Sequence, residues 1–112
     1  MPSNYPAWME KAEHDFLAIR NNMAAGQVPW DVVCFHAQQA VEKMLKALLV
    51  SRGCGIEKTH DLVSILAACV AVEPSLKSME ADCRRLTHYA VSARYPDDVY
   101  EPGDGGGRVA DS

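Results

Sequence analysis

Apolar residues recur every three or four positions in four segments of the chain, which predicts four helices and no β-strand. The first helix is predicted from about Ala7 to Ala25, with Pro6 in its first turn and Gly26 at its end. The second and longest is predicted from about Trp30 to Ser51. The apolar stripes comprise Trp8, Ala12, Phe16, Ile19 and Met23 in the first helix, and Trp30, Val33, Cys34, Ala37, Val41, Met44, Leu45 and Leu48 in the second.

Two shorter segments continue the helical pattern. The third helix is predicted from Asp61 to about Val72, with Thr59 as its N-cap. The fourth is predicted to begin near Pro74 and to stop by Tyr95, because Pro96 disfavours helical geometry in the residue before it. Their stripes comprise Leu62, Ile65, Leu66 and Cys69, then Leu76, Met79, Cys83, Leu86, Ala90 and Ala93.

The predicted fold class is all-α, an up-and-down antiparallel bundle of four main helices over residues 6–101. Glycines accumulate after Pro102, so residues 102–112 are predicted to form a flexible tail. Four short helices bury little surface, and Phe35 falls outside the main stripe of the second helix. We therefore expect a homodimer.

Composition bounds the class of protein. The 112 residues suffice for one domain, and 48% hydrophobic with 23% charged residues is typical of a soluble globular protein. The net charge of −4 disfavours non-specific binding to DNA or to an anionic membrane. Neither a membrane span nor a signal peptide is evident, so we expect a cytoplasmic protein. The four cysteines match no metal-ligand spacing, which predicts reduced structural thiols, no metal site and no cofactor.

A polar stripe on the second helix is the first candidate for chemistry. His36, Gln39, Lys43 and Lys46 are spaced by three, four and three positions, so they share one face. An imidazole, an amide and two ammonium groups in a row can hold a phosphate or a nucleotide. The alternative is a solvated face on which Glu42 pairs with Lys46.

The second candidate is the segment from Lys58 to Asp61. Lys58 and His60 lie beside a predicted helix N-terminus, whose free N–H groups favour an anion. The alternative is a plain capping turn.

The fourth helix carries further cationic candidates. Arg94 projects toward the apolar side of that helix, where it either pairs with a carboxylate such as Asp15, Asp97 or Asp98 or binds phosphate bidentately. Arg84 and His88 form an i,i+4 pair that can support metal-free RNA cleavage, with His88 as general base and Arg84 neutralising phosphorane charge. The alternative is an ordinary exposed face.

Several motifs together resemble the HEPN domain family over about residues 8–101. The sequence reads FHAQQAVEK from Phe35, LKAL from Leu45, KTHDL from Lys58, YAV from Tyr89 and ARYPD from Ala93, and Ala12 with Asp15 on the first helix fits as well. The resemblance implies a small helical bundle that dimerises. It also implies pairing with a minimal nucleotidyltransferase, often in a toxin–antitoxin system, and nucleotide binding or metal-independent RNA cleavage.

The chain departs from the family's nuclease pattern of Arg and His separated by four to six residues. Only three residues separate Arg84 from His88, and no histidine follows Arg94. The leading hypothesis is therefore a non-catalytic nucleotide- or phosphate-binding module that acts with a nucleotidyltransferase partner. The alternatives are an RNA endonuclease that uses Arg84 and His88, and a pure scaffold. The binding residues predicted by the leading hypothesis are His36, Lys43, Lys46, Lys58, His60, Arg94 and Tyr95, with Tyr95 stacking on a base or accepting a modification.

Overall fold

The computed structural model describes residues 4–94, apart from the side chain of Arg94, and this part of the chain is all-helical. Four α-helices and one 3₁₀ helix occur within it, and no β-strand, which confirms the predicted all-α class. Within these residues α2 contacts α1, α3 and α4, whereas α1 packs against α2 only. The antiparallel topology and the dimer stay predictions. The elements are α1 (Tyr5–Met23), α2 (Trp30–Ser51), α3 (Leu62–Val72), the 3₁₀ helix (Pro74–Met79) and α4 (Glu80–Arg94).

The bounds of α2 agree with the prediction, and those of the other helices differ in detail. α1 begins at Tyr5 and ends at Met23, two residues before the predicted end. The predicted fourth helix is divided, because Pro74–Met79 forms a 3₁₀ helix before α4 begins. In this segment the Ser78 hydroxyl donates to the carbonyl of Ser75, a local bond that competes with regular helix formation. 3₁₀ turns are common at the N-termini of α-helices, although this one, at six residues, is longer than most.

The N-cap of α3 is Asp61, so the prediction of Thr59 was wrong. The Asp61 carboxylate accepts a hydrogen bond from the backbone N–H of Val63 at 3.2 Å, as an N-cap side chain does. The Thr59 hydroxyl instead accepts from the backbone N–H of Asp61, also at 3.2 Å. Thr59 therefore shapes the turn that leads into the helix.

A left-handed glycine ends α2. Gly53 has φ +74°, and its N–H donates to the carbonyl of Val50 at 3.0 Å, while the N–H of Cys54 donates to that of Leu49 at 2.8 Å. This pair of bonds is the Schellman motif, which satisfies the last carbonyls of a helix. The turn also directs Cys54 back onto the core, where it packs beside the buried cluster.

The core lies between the C-terminal half of α2, α3 and α4. All four cysteines are free thiols, and burial raises the pKa of Cys69 and of Cys83 above the ordinary value of 9.0. Both thiols pack as small apolar groups, as predicted. The buried cluster comprises Leu45, Leu49, Leu62, Ile65, Leu66, Cys69 and Cys83.

Parts of the predicted stripes are not buried. Trp30 and Met44 are 58% and 41% exposed, and Met23 is exposed as well. In their place α2 buries Glu42 and Lys46, because α1 covers a face that the sequence marks as polar. Of the helices in residues 4–94, none is both long and apolar enough to cross a membrane.

Candidate functional site

Asp15 is the centre of the first of two charged clusters. It is one of the two buried residues of α1. One carboxylate oxygen accepts from His36 Nδ1 at 2.8 Å, and the other accepts from Lys43 Nζ at 2.6 Å. His36 and Lys43 lie on α2 and are half-buried. The cluster thus joins α1 to α2 through two charge-assisted hydrogen bonds.

Glu42 is the centre of the second cluster, which connects α2 to the segment before α3. Its Oε2 accepts from Lys46 Nζ and from His60 Nδ1, both at 2.8 Å. The side chains of Glu42 and Lys46 are only 4% and 6% exposed. Lys46 Nζ also lies 5.6 Å from the ring centroid of Trp8 on α1, within the range of a cation–π contact. The second oxygen, Oε1, is buried and has no hydrogen-bond partner among the described residues.

The polar stripe predicted on α2 is therefore divided between two carboxylates. His36 and Lys43 contact Asp15, whereas Lys46 contacts Glu42 as the solvated-face alternative expected. Lys46 differs from that alternative in being buried. With neutral histidines, each carboxylate is balanced by one ammonium group. A histidine that gains a second proton gives its cluster a net positive charge.

The ring of His60 is held by a hydrogen bond and is also accessible to solvent. Because a carboxylate only accepts, Nδ1 carries the proton in the bond to Glu42, and Nε2 is the acceptor nitrogen of the neutral ring. The side chain is 81% exposed. Lys58 is exposed two residues earlier. Beside this segment lies a pocket of about 280 Å³, lined by residues 55–57, Thr59 and one face of α3.

The RNA-cleavage candidates on α4 lie outside both clusters. Arg84 donates to Glu80 at 2.9 Å, and Arg85 pairs with Asp82. The Arg84 bond is the main reason that the pKa of Glu80 is lowered. His88 is exposed, with its ring centroid 5.9 Å from that of Tyr89. The structure thus places Arg84 and His88 on an exposed face, with the guanidinium of Arg84 already paired.

Two predicted binding residues lie at the limit of what is described. Arg94 is the last residue of α4, and its side chain lies outside the described part. Tyr95, Asp97, Asp98 and the predicted tail over 102–112 also lie outside the described residues. Asp15, one carboxylate considered for Arg94, accepts from His36 and Lys43.

Sequence reasoning missed the buried carboxylates as organising groups, and it assigned Trp8 to the core alone. A signal for Asp15 was present, since it follows Ala12 by three positions and so shares its helix face. A charged residue on such a face needs a partner. Among the described residues, no group of three or more histidine, cysteine or acidic side chains is arranged to hold a metal ion.

Comparisons with known proteins identify the family. Neither a search of curated proteins nor a search of solved structures gave a significant match. The model of the HEPN domain family matches residues 5–110. Because this match spans nearly all of the sequence, the chain belongs to the HEPN domain family.

Proposed function

We propose that this HEPN domain is a nucleotide- or phosphate-binding module that acts with a nucleotidyltransferase partner. The observation that supports it is His60, whose ring is held by the buried Glu42 although its side chain is largely exposed. Lys58 adds an exposed ammonium group on the same segment. Lys58 offers ammonium N–H donors to the oxygens of a phosphate, and His60 adds an N–H donor at Nε2 when its ring is the imidazolium.

Charge balance indicates which groups contact the anion. Lys43 and Lys46 are each neutralised by a buried carboxylate, so the phosphate-binding role predicted for them is secondary. His60 and Lys58 provide the main contacts.

Calorimetric titration of ATP, GTP and UTP, with and without magnesium, tests this proposal. We expect saturable binding that weakens about 10-fold in His60→Ala, the loss of one charge-assisted hydrogen bond. Lys58→Ala weakens binding in the same direction. His88→Ala and Lys77→Ala are matched controls, because they remove an exposed histidine and an exposed lysine from other parts of the surface. Absence of heat with every nucleotide, from a folded protein, refutes nucleotide binding.

The partner is supported by family membership alone. We expect a minimal nucleotidyltransferase to form a stable complex with the domain, as in a toxin–antitoxin pair, and to transfer AMP from ATP to the hydroxyl of Tyr95 with release of pyrophosphate. Intact-mass measurement before and after incubation detects the transfer, and Tyr95→Phe abolishes it. A stable complex without nucleotide binding or transfer identifies the domain as a scaffold.

Metal-independent RNA cleavage is the second candidate, because Arg84 and His88 are both exposed one turn apart on α4. It ranks below nucleotide binding because Arg84 must leave Glu80 to reach a phosphate. The candidate predicts RNA cleavage in the presence of a chelator that is lost in His88→Ala. If RNA stays intact on prolonged incubation with the wild-type domain, as with the His88→Ala control, RNA cleavage is excluded.

A further inference from the structure

Trp8 is an aromatic side chain that is only partly buried in the core. It lies in the first half of α1 and is half-buried, although its position in the apolar stripe predicts a core residue. Lys46 Nζ lies over its ring, 5.6 Å from the centroid. This ammonium group is itself fixed by the buried Glu42. The indole is therefore held at the edge of the Glu42 cluster.

A pocket of about 230 Å³ lies against the indole. Its lining residues are Asn4, Ala7, Trp8 and Lys11, which share one face of α1 because they are spaced by three, one and three positions. Asn4 is the N-cap residue of α1, yet its side chain makes no capping hydrogen bond within the described chain. Its amide thus retains both donor and acceptor capacity. The wall combines an aromatic ring, an amide and an ammonium group.

The indole is connected to His60 through the buried side chains of Lys46 and Glu42. The separations from the Trp8 centroid to Lys46 Nζ, from there to Glu42 Oε2, and on to His60 Nδ1 are 5.6, 2.8 and 2.8 Å. The centroid and the imidazole are therefore no further apart than the sum of these three, about 11 Å. A nucleoside diphosphate that lies over these two buried side chains can span such a distance, with its base at one end and its phosphates at the other.

We propose that Trp8 is the base-stacking subsite of the nucleotide site, with the phosphates directed toward His60; the inference rests on the proposed function. The base stacks on the part of the indole that lines the pocket, and Asn4 hydrogen-bonds the edge of the base. Lys11 contributes a positive charge beside the phosphate nearest the base. Every nucleobase has a π-face, so this subsite favours nucleotides over bare phosphates without selecting one base strongly.

Tryptophan fluorescence tests the subsite directly, because Trp8 and Trp30 are the two tryptophans of the chain. In Trp30→Phe, where Trp8 is the remaining emitter, ATP is expected to quench the emission and to protect it from acrylamide. The midpoint should agree with that from calorimetry. Inorganic tripolyphosphate should leave the Trp8 emission unchanged. In Trp8→Phe, where Trp30 is the emitter, ATP should leave the emission unchanged.

Affinity provides the second measurement. Trp8→Leu should weaken ATP binding about 10- to 100-fold, the loss of one stacked base, while tripolyphosphate affinity changes less than twofold. Circular dichroism establishes that the variant is folded, and the emission experiment on intact Trp8 decides the matter if it is not. ATP binding with unchanged Trp8 emission and unchanged affinity in Trp8→Leu overturns the subsite and leaves the proposed function standing. No binding of ATP to the wild-type domain overturns both.

Discussion

Glu42 and Lys46 form a buried ion pair, so their contributions to the free energy of unfolding should be strongly coupled. Lys46→Met removes the ammonium group but keeps most of the side-chain volume, so Glu42 retains only His60 as a partner in a site that water barely reaches. Removing one member of a buried pair costs about 3–5 kcal/mol. The stability of a small domain is about 5–15 kcal/mol, so the loss is a large fraction of the total.

The double variant separates the pair from its surroundings. Glu42→Leu combined with Lys46→Met leaves neither charge unpaired, and such replacements are often close to neutral. We expect each single change to cost about 3–5 kcal/mol and the double change to cost less than either single change, so that the coupling is at least about 3 kcal/mol. Urea unfolding followed by tryptophan fluorescence measures all four proteins, with equal m-values as the condition for comparison.

A matched cycle on an exposed pair provides the control. Arg84 and Glu80 form an i,i+4 pair on α4, as Glu42 and Lys46 do on α2, but their side chains are 62% and 39% exposed. Water screens that pair, so Arg84→Ala and Glu80→Ala should change the urea midpoint little, and additively. If the Glu42 and Lys46 changes are also additive within about 0.5 kcal/mol, the two side chains do not act as a buried pair and the reasoning is refuted.

Three further changes test other parts of the fold by urea or pH titration. Asp15→Ala should lower the free energy of unfolding by about 1.5–3 kcal/mol, because Lys43 and His36 lose charge-assisted bonds but remain partly hydrated. If stability is unchanged, the Asp15 cluster does not join α1 to α2. Gly53→Ala should cost about 1 kcal/mol from its positive φ alone, since nothing lies within 4 Å of an added Cβ, and a neutral result contradicts the left-handed turn. The pKa of Cys69 is raised mainly by burial, so its stabilising contribution is present below about pH 9 and is lost as the pH rises through the folded-state pKa. Cys69→Ala should therefore flatten the decline in stability at alkaline pH. An unchanged decline contradicts this assignment to Cys69.

The helices followed from sequence because their signals are local. The apolar periodicity, Pro6 and the glycines after Ser51 act within one or two turns, so α2 was predicted residue for residue. The α3 cap was misplaced because Thr59 and Asp61 both offer a side-chain oxygen near the helix start. Only the backbone geometry decides between them, since Asp61 has the extended conformation of an N-cap.

The site was predicted less well because its organising contacts are between helices. Residues 15 and 43 are far apart in sequence, and nothing local indicates that Asp15 neutralises Lys43. For the same reason the i,i+4 spacing of Glu42 and Lys46 predicted their pairing but not their burial, which depends on α1 covering α2. Periodicity assigns a face to a residue, whereas the packing partner decides whether that face is polar core, apolar core or surface.

The exposed apolar face of α2 leads to the expected homodimer. Trp30, Ala37 and Met44 are spaced by seven positions and so lie along one side of the helix, where Trp30 and Met44 are exposed. A seven-residue apolar spacing is the pattern by which two helices pack along a shared seam, so the occupant we expect is a second copy of the chain. Sedimentation velocity should show a dimer for the wild type and a monomer for Trp30→Asp combined with Met44→Asp, with circular dichroism showing retained helix. Tyr89→Asp, which changes an exposed side chain on α4, should leave the dimer intact. A wild-type monomer refutes the dimer, and a dimer that survives both α2 substitutions places its interface elsewhere.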